Sequence, residues 1–366
     1  MRVARYYPTA RLAHIERLAD DRLVDFFYSD HRLDWDESLA SSMPNVRQQS
    51  AVHIIWSLLT TPYDLIEIPE PLAISLLPRL VLLTVLLRVK KTFGRKSPRF
   101  VFYAIENLDQ VCKVAARTRF PSWLIRPIVR WSVTAVLSRT HRVAFGTQGA
   151  RENYESVLST ARRSFASSTE LADFEALPSP RHSYFEKGAA DACFVGALDD
   201  RKGIRLVMAA WPLVVAMKAG STLSILGHGP FEVEVRDFAQ RHPEVSFCLN
   251  PSRKSIWEAL GRSHCLILPS QRTVLWREQV GLPIVEGLSQ GCEIVTTTET
   301  GIANWLRKHG HRLVDSGCSP ETLATAIDGA LSDKRPFSQI LADLPETDSR
   351  EQADAWLMQP KFYGHD

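Results

Sequence analysis

The stretch "REQVGLPIVEGLSQGCEIV" (277–295) contains signals for both ends of a short helix. Pro283 suits the first turn of a helix, because its missing N–H has no partner there in any case. Gly291 suits the position just past a helix end, where a left-handed backbone is common. The pattern therefore predicts a helix from about Pro283 to Gln290.

Two glutamates flank this turn, at positions 278 and 286. Gly281 lies in the loop at the predicted helix N-terminus, where free backbone N–H groups and the helix dipole favour an anion. With Glu286 expected in the first helical turn and Glu278 across the loop, two carboxylates would flank a phosphate position. Such acceptors suit the ribose hydroxyls and sugar hydroxyls of a nucleotide-sugar. The alternative is that Glu286 complements the helix dipole and Glu278 is a solvated loop residue.

Composition is that of a globular protein with room for two domains: 366 residues, 45% hydrophobic and 23% charged. A net charge of +3 does not indicate nucleic acid as a partner. The six cysteines form no CxxC pair and mostly lie in apolar runs such as "DACFVGAL", which predicts reduced, buried thiols. The N-terminal stretch has no apolar core typical of a signal peptide, so we expect a cytoplasmic protein.

Apolar runs alternate with helical patterns along the chain, which predicts α/β architecture with parallel sheets. "RFVFYAIEN" (99–107) is typical of a buried parallel strand in the first half, and "ACFVGAL" (192–198) of one in the second. We expect two doubly wound, Rossmann-like domains that face a cleft. The predicted divisions are an acceptor-binding domain 1–185, a linker at about 159–190, a nucleotide-sugar domain 186–335, and a C-terminal segment 336–366 that packs back on the first domain.

Three further segments place charged residues or glycines directly after predicted strands. "VGALDDRKG" (195–203) ends with Lys202 and Gly203, "ILGHGP" (225–230) contains a glycine turn, and "PS" (269–270) leads towards Glu278. Ligands of open α/β sheets bind beyond the carboxyl ends of the strands, so these segments should lie near one site.

These segments resemble the nucleotide-sugar domain of glycosyltransferase family 4, whose members have the GT-B fold. The family pattern runs V-G-R-L-x-x-x-K-G, I-x-G-x-G-P, P-S, E-x-x-G-x-x-x-x-E and a later G-x-x-E. This chain has "VGALDDRKG", "ILGHGP", "PS", "EQVGLPIVE" and "TGIANWL" in the same order, within about residues 190–335.

The resemblance implies roles for individual residues. Lys202 would bind the donor diphosphate, Glu278 the hydroxyls of the transferred sugar, and Glu286 the ribose hydroxyls. His228 would contact a phosphate or base, or would be only a turn residue. The full implied donor set is Gly196, Lys202, Gly203, Gly227, His228, Gly229, Glu278, Val280, Gly281, Leu282 and Glu286.

The resemblance also implies a mechanism. The nucleotide-sugar is a co-substrate, and neither a cofactor nor a metal ion is expected. The anomeric configuration would be retained in a front-face displacement. Lys202 and the helix N-terminus would stabilise the charge that develops on the leaving phosphate.

Several positions depart from the family pattern. Ala197 stands where the family has a phosphate-binding arginine, and Arg201, Arg253 and Arg272 are possible substitutes. Asn304 replaces the glutamate of the last motif, and about four extra residues around "RTVLW" precede Glu278.

The first half also departs from the pattern, since it has no glycine before position 94 and lacks the family's histidine. In its place stands "FYAIENLD", with Glu106 and Asn107. Glu106 is predicted to position or deprotonate the acceptor hydroxyl, or alternatively to be an acid at a helix N-terminus. Glu70, in "PEP", is a second candidate.

A basic cluster follows an apolar run in "ISLLPRLVLLTVLLRVKKTFGRKSPR" (74–99). The apolar part is too short to span a bilayer, and a buried core helix is one interpretation. The cluster also suits the anionic inner leaflet, as does "RTRFPSWLIRPIVRWSV" (117–133), so we expect peripheral attachment to the inner membrane face. The predicted membrane-facing residues are Arg88, Lys90, Lys91, Arg95 and Lys96.

The sequence thus predicts a retaining glycosyltransferase that moves a sugar from a nucleotide-sugar to a glycan or lipid-linked acceptor, in cell-surface polysaccharide or glycolipid synthesis. One alternative is a non-catalytic GT-B subunit that partners an active enzyme. Another is a sugar-nucleotide epimerase on a similar scaffold.

Overall fold

A computed structural model gives the fold in two compact units. The first contains Met1–Phe174 and the segment from Glu351, and the second contains Glu175–Arg350. The residues that the structure describes are 1–18, 24–32, 35–158, 169–181 and 190–359.

The first unit is built on a seven-stranded parallel sheet with strand order β3-β2-β1-β4-β5-β6-β7. Its strands are β1 (Val3–Ala10), β2 (Val24–His31), β3 (Val46–Gln48), β4 (Leu65–Glu67), β5 (Arg99–Ala104), β6 (Thr140–Phe145) and β7 (Glu170–Asp173). The helices that precede the second unit are α1 (Leu12–Glu16), α2 (Glu37–Ser42), α3 (Ala51–Thr60), α4 (Leu77–Thr92), α5 (Gln110–Thr118), α6 (Ser122–Leu137) and α7 (Gln148–Leu158).

Successive strand residues bury their side chains on opposite faces of this sheet, as the two-residue period of a strand requires. Phe27 lies in one hydrophobic cluster and Phe26 in another. Helices α3, α4 and α6 all contribute buried side chains to the cluster that contains Phe27, through Leu58, Leu80 and Val133 for example. These three helices therefore cover the same face of the sheet.

The C-terminal helix α15 (Ser349–Met358) packs on the opposite face of the first unit. Leu357 is fully buried there, and Asp354 forms ion pairs with Arg5 at 3.3 Å and Arg17 at 3.2 Å. The buried Leu357 side chain and the two ion pairs of Asp354 attach helix α15 to the first unit.

The second unit has a six-stranded parallel sheet with strand order β10-β9-β8-β11-β12-β13. Its strands are β8 (Ala190–Val195), β9 (Leu223–Gly227), β10 (Val245–Leu249), β11 (Ser263–Leu268), β12 (Glu293–Thr297) and β13 (Arg312–Val314). Its helices are α8 (Ile204–Met217), α9 (Glu232–Arg241), α10 (Arg253–Arg262), α11 (Leu282–Ser289), α12 (Ala303–Lys308), α13 (Pro320–Asp333) and α14 (Phe337–Ala342).

The limits of the units differ from the predicted domains 1–185, 186–335 and 336–366. Part of the predicted linker is strand β7, whose backbone pairs with β6, so the first unit extends to Phe174. Residues 159–168 and 182–189 of that linker lie outside the described residues. Ile340 and Leu344 are buried in the core of the second unit, which therefore extends to Arg350.

The cysteines are free thiols, as predicted, but only Cys193, Cys265 and Cys292 are buried: Cys248 and Cys318 are half-buried, and Cys112 is exposed. Its backbone N–H bonds to the carboxylate of Asp109, the residue that caps α5, so the thiol lies at the helix start and outside the core. None of the helices in the described ranges has the length and apolarity that a bilayer-crossing helix needs.

Candidate functional site

The loop after β8 is held tightly against the end of β11. Asp199 caps a single 3₁₀ turn, Asp200–Lys202, by accepting a hydrogen bond from the Lys202 N–H at 3.1 Å. Gly203 follows with a φ of +74°, and a Cβ there would lie 2.2 Å from the carbonyl oxygen of Pro269. Only glycine fits this contact, so the loop and the "PS" segment have a fixed relation.

The glycine turn after β9 packs on the same loop, backbone against backbone. A Cβ on Gly227 would lie 1.9 Å from the Gly196 carbonyl oxygen, and one on Gly229 would lie 2.7 Å from that of Leu198. The Leu198 N–H donates to the His228 carbonyl at 2.9 Å, while the His228 side chain is exposed. The absence of side chains at Gly227 and Gly229 therefore lets the loops that follow β8 and β9 pack closely together.

Lys202 and Glu278 are brought into direct contact. The ammonium Nζ of Lys202 donates to Oε2 of Glu278, and the Ser270 hydroxyl donates to the same oxygen at 2.8 Å. The Glu278 side chain is 9% exposed and that of Lys202 15% exposed, so the pair is largely shielded from water. An acceptor and a cation, 76 positions apart in the chain, thus share one small site.

Trp276 lies beside this pair and was not predicted as a site residue. The extra residues before Glu278 form a tight turn in which the N–H of Thr273 donates to the Trp276 carbonyl at 2.9 Å. The Lys202 Nζ and the Arg201 Cζ each lie 5.2 Å from the centre of the Trp276 ring. These distances are within the range of cation–π attraction. The only sequence signal was the departure from the family's spacing.

The helix predicted at 283–290 is confirmed to within one residue at each end. Helix α11 spans Leu282–Ser289, its N-cap Gly281 has a φ of +89°, and Gly291 follows with a φ of +77°. The Gly281 carbonyl accepts the N–H of Ile284 at 2.9 Å, which closes the first turn.

The loop before this helix is fixed by the "TG" of the last motif. The Thr300 hydroxyl donates to the Val280 carbonyl at 2.6 Å, and the Gly301 N–H donates to the Gln279 carbonyl at 2.9 Å. The carbonyls of Gln279 and Val280 are therefore engaged in hydrogen bonds. The N-terminus of the helix can then present N–H groups, such as that of Leu282, to an anion.

Glu286 lies in the second turn of α11, whereas the first turn was predicted. Because the helix starts at Leu282, Glu286 is about 7.5 Å along the axis from Gly281. Its side chain is half-buried.

The three arginines predicted as substitutes for the family's cation at Ala197 have different positions. Arg201 shares the Trp276 ring with Lys202 and pairs with Asp199. Arg253 begins α10, 5.9 Å from the Trp257 ring centre, and the Arg272 side chain is exposed. Arg201 is therefore the candidate next to the predicted diphosphate position. Asn304, in α12, accepts a hydrogen bond from Arg307 at 3.2 Å.

In the first unit, Glu70 and Glu106 lie together beyond the carboxyl ends of β4 and β5. Oε2 of Glu70 accepts the N–H of Ile105 at 2.9 Å and that of Glu106 at 3.1 Å. Oε1 of Glu106 accepts the Leu108 N–H at 3.1 Å, and Glu106 is 9% exposed. Burial, together with repulsion from Glu106, raises the pKa of Glu70 to about 8.

Of the five basic residues in 88–96, three bond through their side chains to other parts of the first unit. Lys91 and Arg95 are exposed. Lys90 was predicted on the membrane-facing surface, but its Nζ donates to the Leu59 carbonyl of α3 at 2.7 Å and is half-buried. Arg88 donates to Ser138, and Lys96 pairs with Asp64.

The sequence of the second unit matches a known family. Residues 180–344 match the family described as glycosyl transferases group 1. Comparison with curated proteins gives no significant match.

Solved structures with the same fold include HepE from Anabaena in complex with UDP, with 12% identity and a TM-score of 0.64 over 98% of this chain and 95% of that one. They also include WaaG, a glycosyltransferase involved in lipopolysaccharide biosynthesis, with 14% identity and a TM-score of 0.59 over 98% of this chain and all of WaaG. The apo structure of OtsA has 12% identity and a TM-score of 0.65 over 99% of this chain and all of OtsA. At such identities the likeness concerns the fold, and the predicted GT-B class is confirmed. The second unit therefore matches glycosyl transferases group 1 over most of its length, and the chain as a whole has the GT-B fold.

Proposed function

We propose that this protein transfers a sugar from a nucleotide-sugar to a glycan or lipid-linked acceptor, with retention of anomeric configuration. One observation carries the proposal. Lys202, Glu278 and Ser270 meet at the strand ends of a glycosyl transferases group 1 domain, next to the loop that starts α11.

Lys202 and the N-terminus of α11 would bind the donor diphosphate. The leaving phosphate gains negative charge as the glycosidic bond breaks, and a shielded ammonium and aligned N–H groups stabilise that charge. Arg201 is placed to supply the second cation in place of the family's arginine. These cations are the basis for proposing a reaction that needs no metal ion.

Glu278 would accept hydrogen bonds from hydroxyls of the transferred sugar, and Ser270 fixes its orientation. Glu286, from the second turn of α11, would hold the ribose hydroxyls. The backbone of Val280, Gly281 and Leu282 would line the phosphate position. A nucleotide-sugar donor is also supported by the HepE structures, which contain UDP and UDP-glucose.

On the acceptor side, we propose Glu106 as the residue that positions or deprotonates the acceptor hydroxyl. Glu70 would hold the backbone of this loop through its bonds to Ile105 and Glu106. The pathway we propose is synthesis of a cell-surface polysaccharide or glycolipid. WaaG, which shares the fold, is involved in lipopolysaccharide biosynthesis.

We propose a cytoplasmic protein that binds peripherally to the inner membrane face. The support is the exposed basic sequence around Lys91 and Arg95, next to apolar helix α4.

A transfer assay with UDP-, GDP- and ADP-sugars tests the proposed activity, with lipid-linked and soluble glycan acceptors and with EDTA present throughout. The proposal expects transfer from one nucleotide class, an α-linked product from an α-linked donor, and loss of transfer in Glu278→Ala with nucleotide binding retained. Binding without transfer would instead favour a non-catalytic subunit. That alternative is supported by Ala197, which replaces the family's arginine, and by the lack of glycine before position 94. Conversion of the donor without an acceptor would indicate an epimerase.

A further inference from the structure

The layer of helices α3, α4 and α6 exposes an unusual number of large apolar side chains. These helices bury one side against the sheet of the first unit. Their outer side and the adjoining loops, which we call the helical face, expose Val52, Trp56, Leu82, Val85, Val89, Phe93, Phe120, Trp123, Leu124, Ile128 and Trp131. Trp123 and Trp131 are 71% and 65% exposed. Eleven exposed large apolar side chains on one layer of helices and its adjoining loops, three of them tryptophans, indicate an interaction surface.

Charge on this part of the chain has one sign. Residues 71–105 and 110–140 contain thirteen lysine and arginine residues and neither aspartate nor glutamate. The protein as a whole is nearly balanced, with 44 basic and 41 acidic residues. Apolar side chains interspersed with cations are typical of helices that lie on an anionic bilayer.

A basic cavity of about 510 Å³ opens where α4 and α6 end and β5 and β6 begin. The hydroxyl residues Ser97, Ser138 and Thr140 line it. Five cationic residues also line it: Lys91, Arg95, Lys96, Arg99 and Arg139. Hydroxyls and cations together are the groups that bind phosphate oxygens.

The charge of these cations is not balanced by acids. Lys96 is paired with Asp64. Within the part of the chain that the structure describes, Lys91, Arg95 and Arg99 have no ion pair. The half charges at two helix C-termini offset only part of this excess.

Arg139 shows the same excess from inside the cavity. Its Nη2 donates to the Ser97 hydroxyl at 2.5 Å and to the Pro98 carbonyl at 2.8 Å, but its buried Nε has no hydrogen-bond partner among the described residues. Burial, and then repulsion from Arg88 and Arg99, lowers the pKa of Arg139. An anion in the cavity would relieve this repulsion.

The cavity is not part of the proposed catalytic site. It lies at the amino ends of β5 and β6, whereas Glu70 and Glu106 follow the carboxyl ends of β4 and β5. In a parallel sheet the amino ends and the carboxyl ends of the strands lie on opposite sides of the sheet, so the cavity and the two glutamates are separated by the length of a strand.

We propose that this cavity binds the phosphate group of an anionic phospholipid while the helical face lies on the bilayer. Phe93, 77% exposed, stands between Lys91 and the cavity residue Gly94, so the apolar surface adjoins the cations. A free phosphate ion would satisfy the cations but would leave this apolar surface in water. The proposal does not depend on the transfer reaction.

Vesicle sedimentation tests the site with the full-length protein and two sets of vesicles, pure phosphatidylcholine and phosphatidylcholine with phosphatidylglycerol. Arg95→Gln combined with Arg99→Gln removes two charges from the cavity. The matched control, Arg79→Gln with Arg117→Gln, removes two exposed charges from the same basic segments outside it. Thermal unfolding of each variant checks the fold.

We expect binding only to the vesicles with phosphatidylglycerol, a loss of about tenfold or more in the cavity variant, and a loss of about threefold or less in the control. Inorganic phosphate at millimolar concentration should compete only weakly with vesicles, because it makes no contact with the apolar helical face. Equal losses in both variants would overturn the cavity as a specific site. Stabilisation by inorganic phosphate without vesicle binding would show a site for free phosphate and overturn the lipid assignment.

Discussion

In the structure, the ammonium group of Lys202 is hydrogen-bonded to the carboxylate of Glu278. The two side chains proposed to bind opposite parts of the donor therefore neutralise each other before it arrives. A bound diphosphate would attract Lys202 away and leave Glu278 free to accept sugar hydroxyls. The pair keeps both charges partnered in a largely buried site, where an unpaired charge is costly.

Removing one member of this pair should reduce both stability and transfer. Lys202→Met or Glu278→Gln alone should lower the free energy of unfolding by about 1–3 kcal/mol, because each removes one charge of a largely buried ion pair and leaves the opposite charge uncompensated. Lys202→Met should also lower kcat by about 10²-fold, since it removes charge stabilisation of the leaving phosphate. Denaturant unfolding and steady-state kinetics measure the two effects.

The double variant gives a sharper result. Because the residues are in contact, their effects on stability should not add, and Lys202→Met with Glu278→Gln should be no less stable than the worse single variant. Arg236→Met is the control, since Arg236 is exposed and pairs with Glu232 on helix α9 of the same unit. Additive losses would show that the contact does not stabilise the protein.

Gly203→Ala should distort the site through sterics rather than through backbone conformation alone. Its Cβ would lie 2.2 Å from the Pro269 carbonyl, which belongs to backbone and cannot rotate away. Gly220 has a similar φ of +85° with nothing within 4 Å, so Gly220→Ala carries the same conformational cost without the clash. Nucleotide affinity should fall at least tenfold only in Gly203→Ala. Equal effects would mean that the loop contact is unimportant.

Glu70 should make the stability of the first unit depend on pH. Its pKa is raised from 4.5 to about 8, so between these values the folded protein holds a proton that the unfolded chain has lost. The free energy of unfolding should therefore fall as the pH rises from about 4.5 to 8, and should not change further on this account above 8. Glu70→Gln removes this contribution. Thermal unfolding of both proteins at pH 5, 6.5 and 8 should show the variant gaining stability relative to the wild type as the pH rises, and parallel curves would contradict the assignment.

Leu357→Ala should destabilise the first unit by about 2–5 kcal/mol. The side chain is fully buried in the cluster that α15 shares with the sheet. Relative to the wild type, hydrogen exchange in Leu357→Ala should be accelerated in Met1–Phe174 and little changed in Glu175–Arg350, because the two units have separate cores. Uniform loss of protection in both units would contradict this division.

The second unit was more predictable from the sequence than the first. Strands β8, β9 and β11 are short apolar runs that end at or just before a Gly or Pro, and helix α11 is delimited by Pro283 and Gly291, so local signals and the final structure agree there. The turn of Glu286 was predicted wrongly because proline occupies the second helical position and the helix begins one residue earlier.

Strand β1 shows why the first unit was harder. Its sequence, "VARYYPTA", contains a proline and Arg5, and it lacks the uniform apolar run of a buried strand. Arg5 is nevertheless only 5% exposed, because Glu67 and Asp354 neutralise it. Asp354 lies 349 residues further along the chain, in α15, and no local pattern reports such a partner.

Candidate residues were predictable where a strand end or a motif marked them, as for Lys202, Glu278 and Glu106. Ser270 and Trp276 were not assigned roles, since their importance comes from contacts with Glu278 and Lys202 that form only in the folded unit. The bonds from the Ile105 and Glu106 N–H groups to Glu70 are likewise tertiary.

The most direct test of the central claim is calorimetric titration of UDP-, GDP- and ADP-sugars into the wild-type protein, Lys202→Met and the Arg236→Met control. We predict that one nucleotide class binds the wild type and the control with equal affinity, and that Lys202→Met binds it at least tenfold more weakly. Binding that is unchanged in Lys202→Met would contradict the proposal that Lys202 and Glu278 form the donor site.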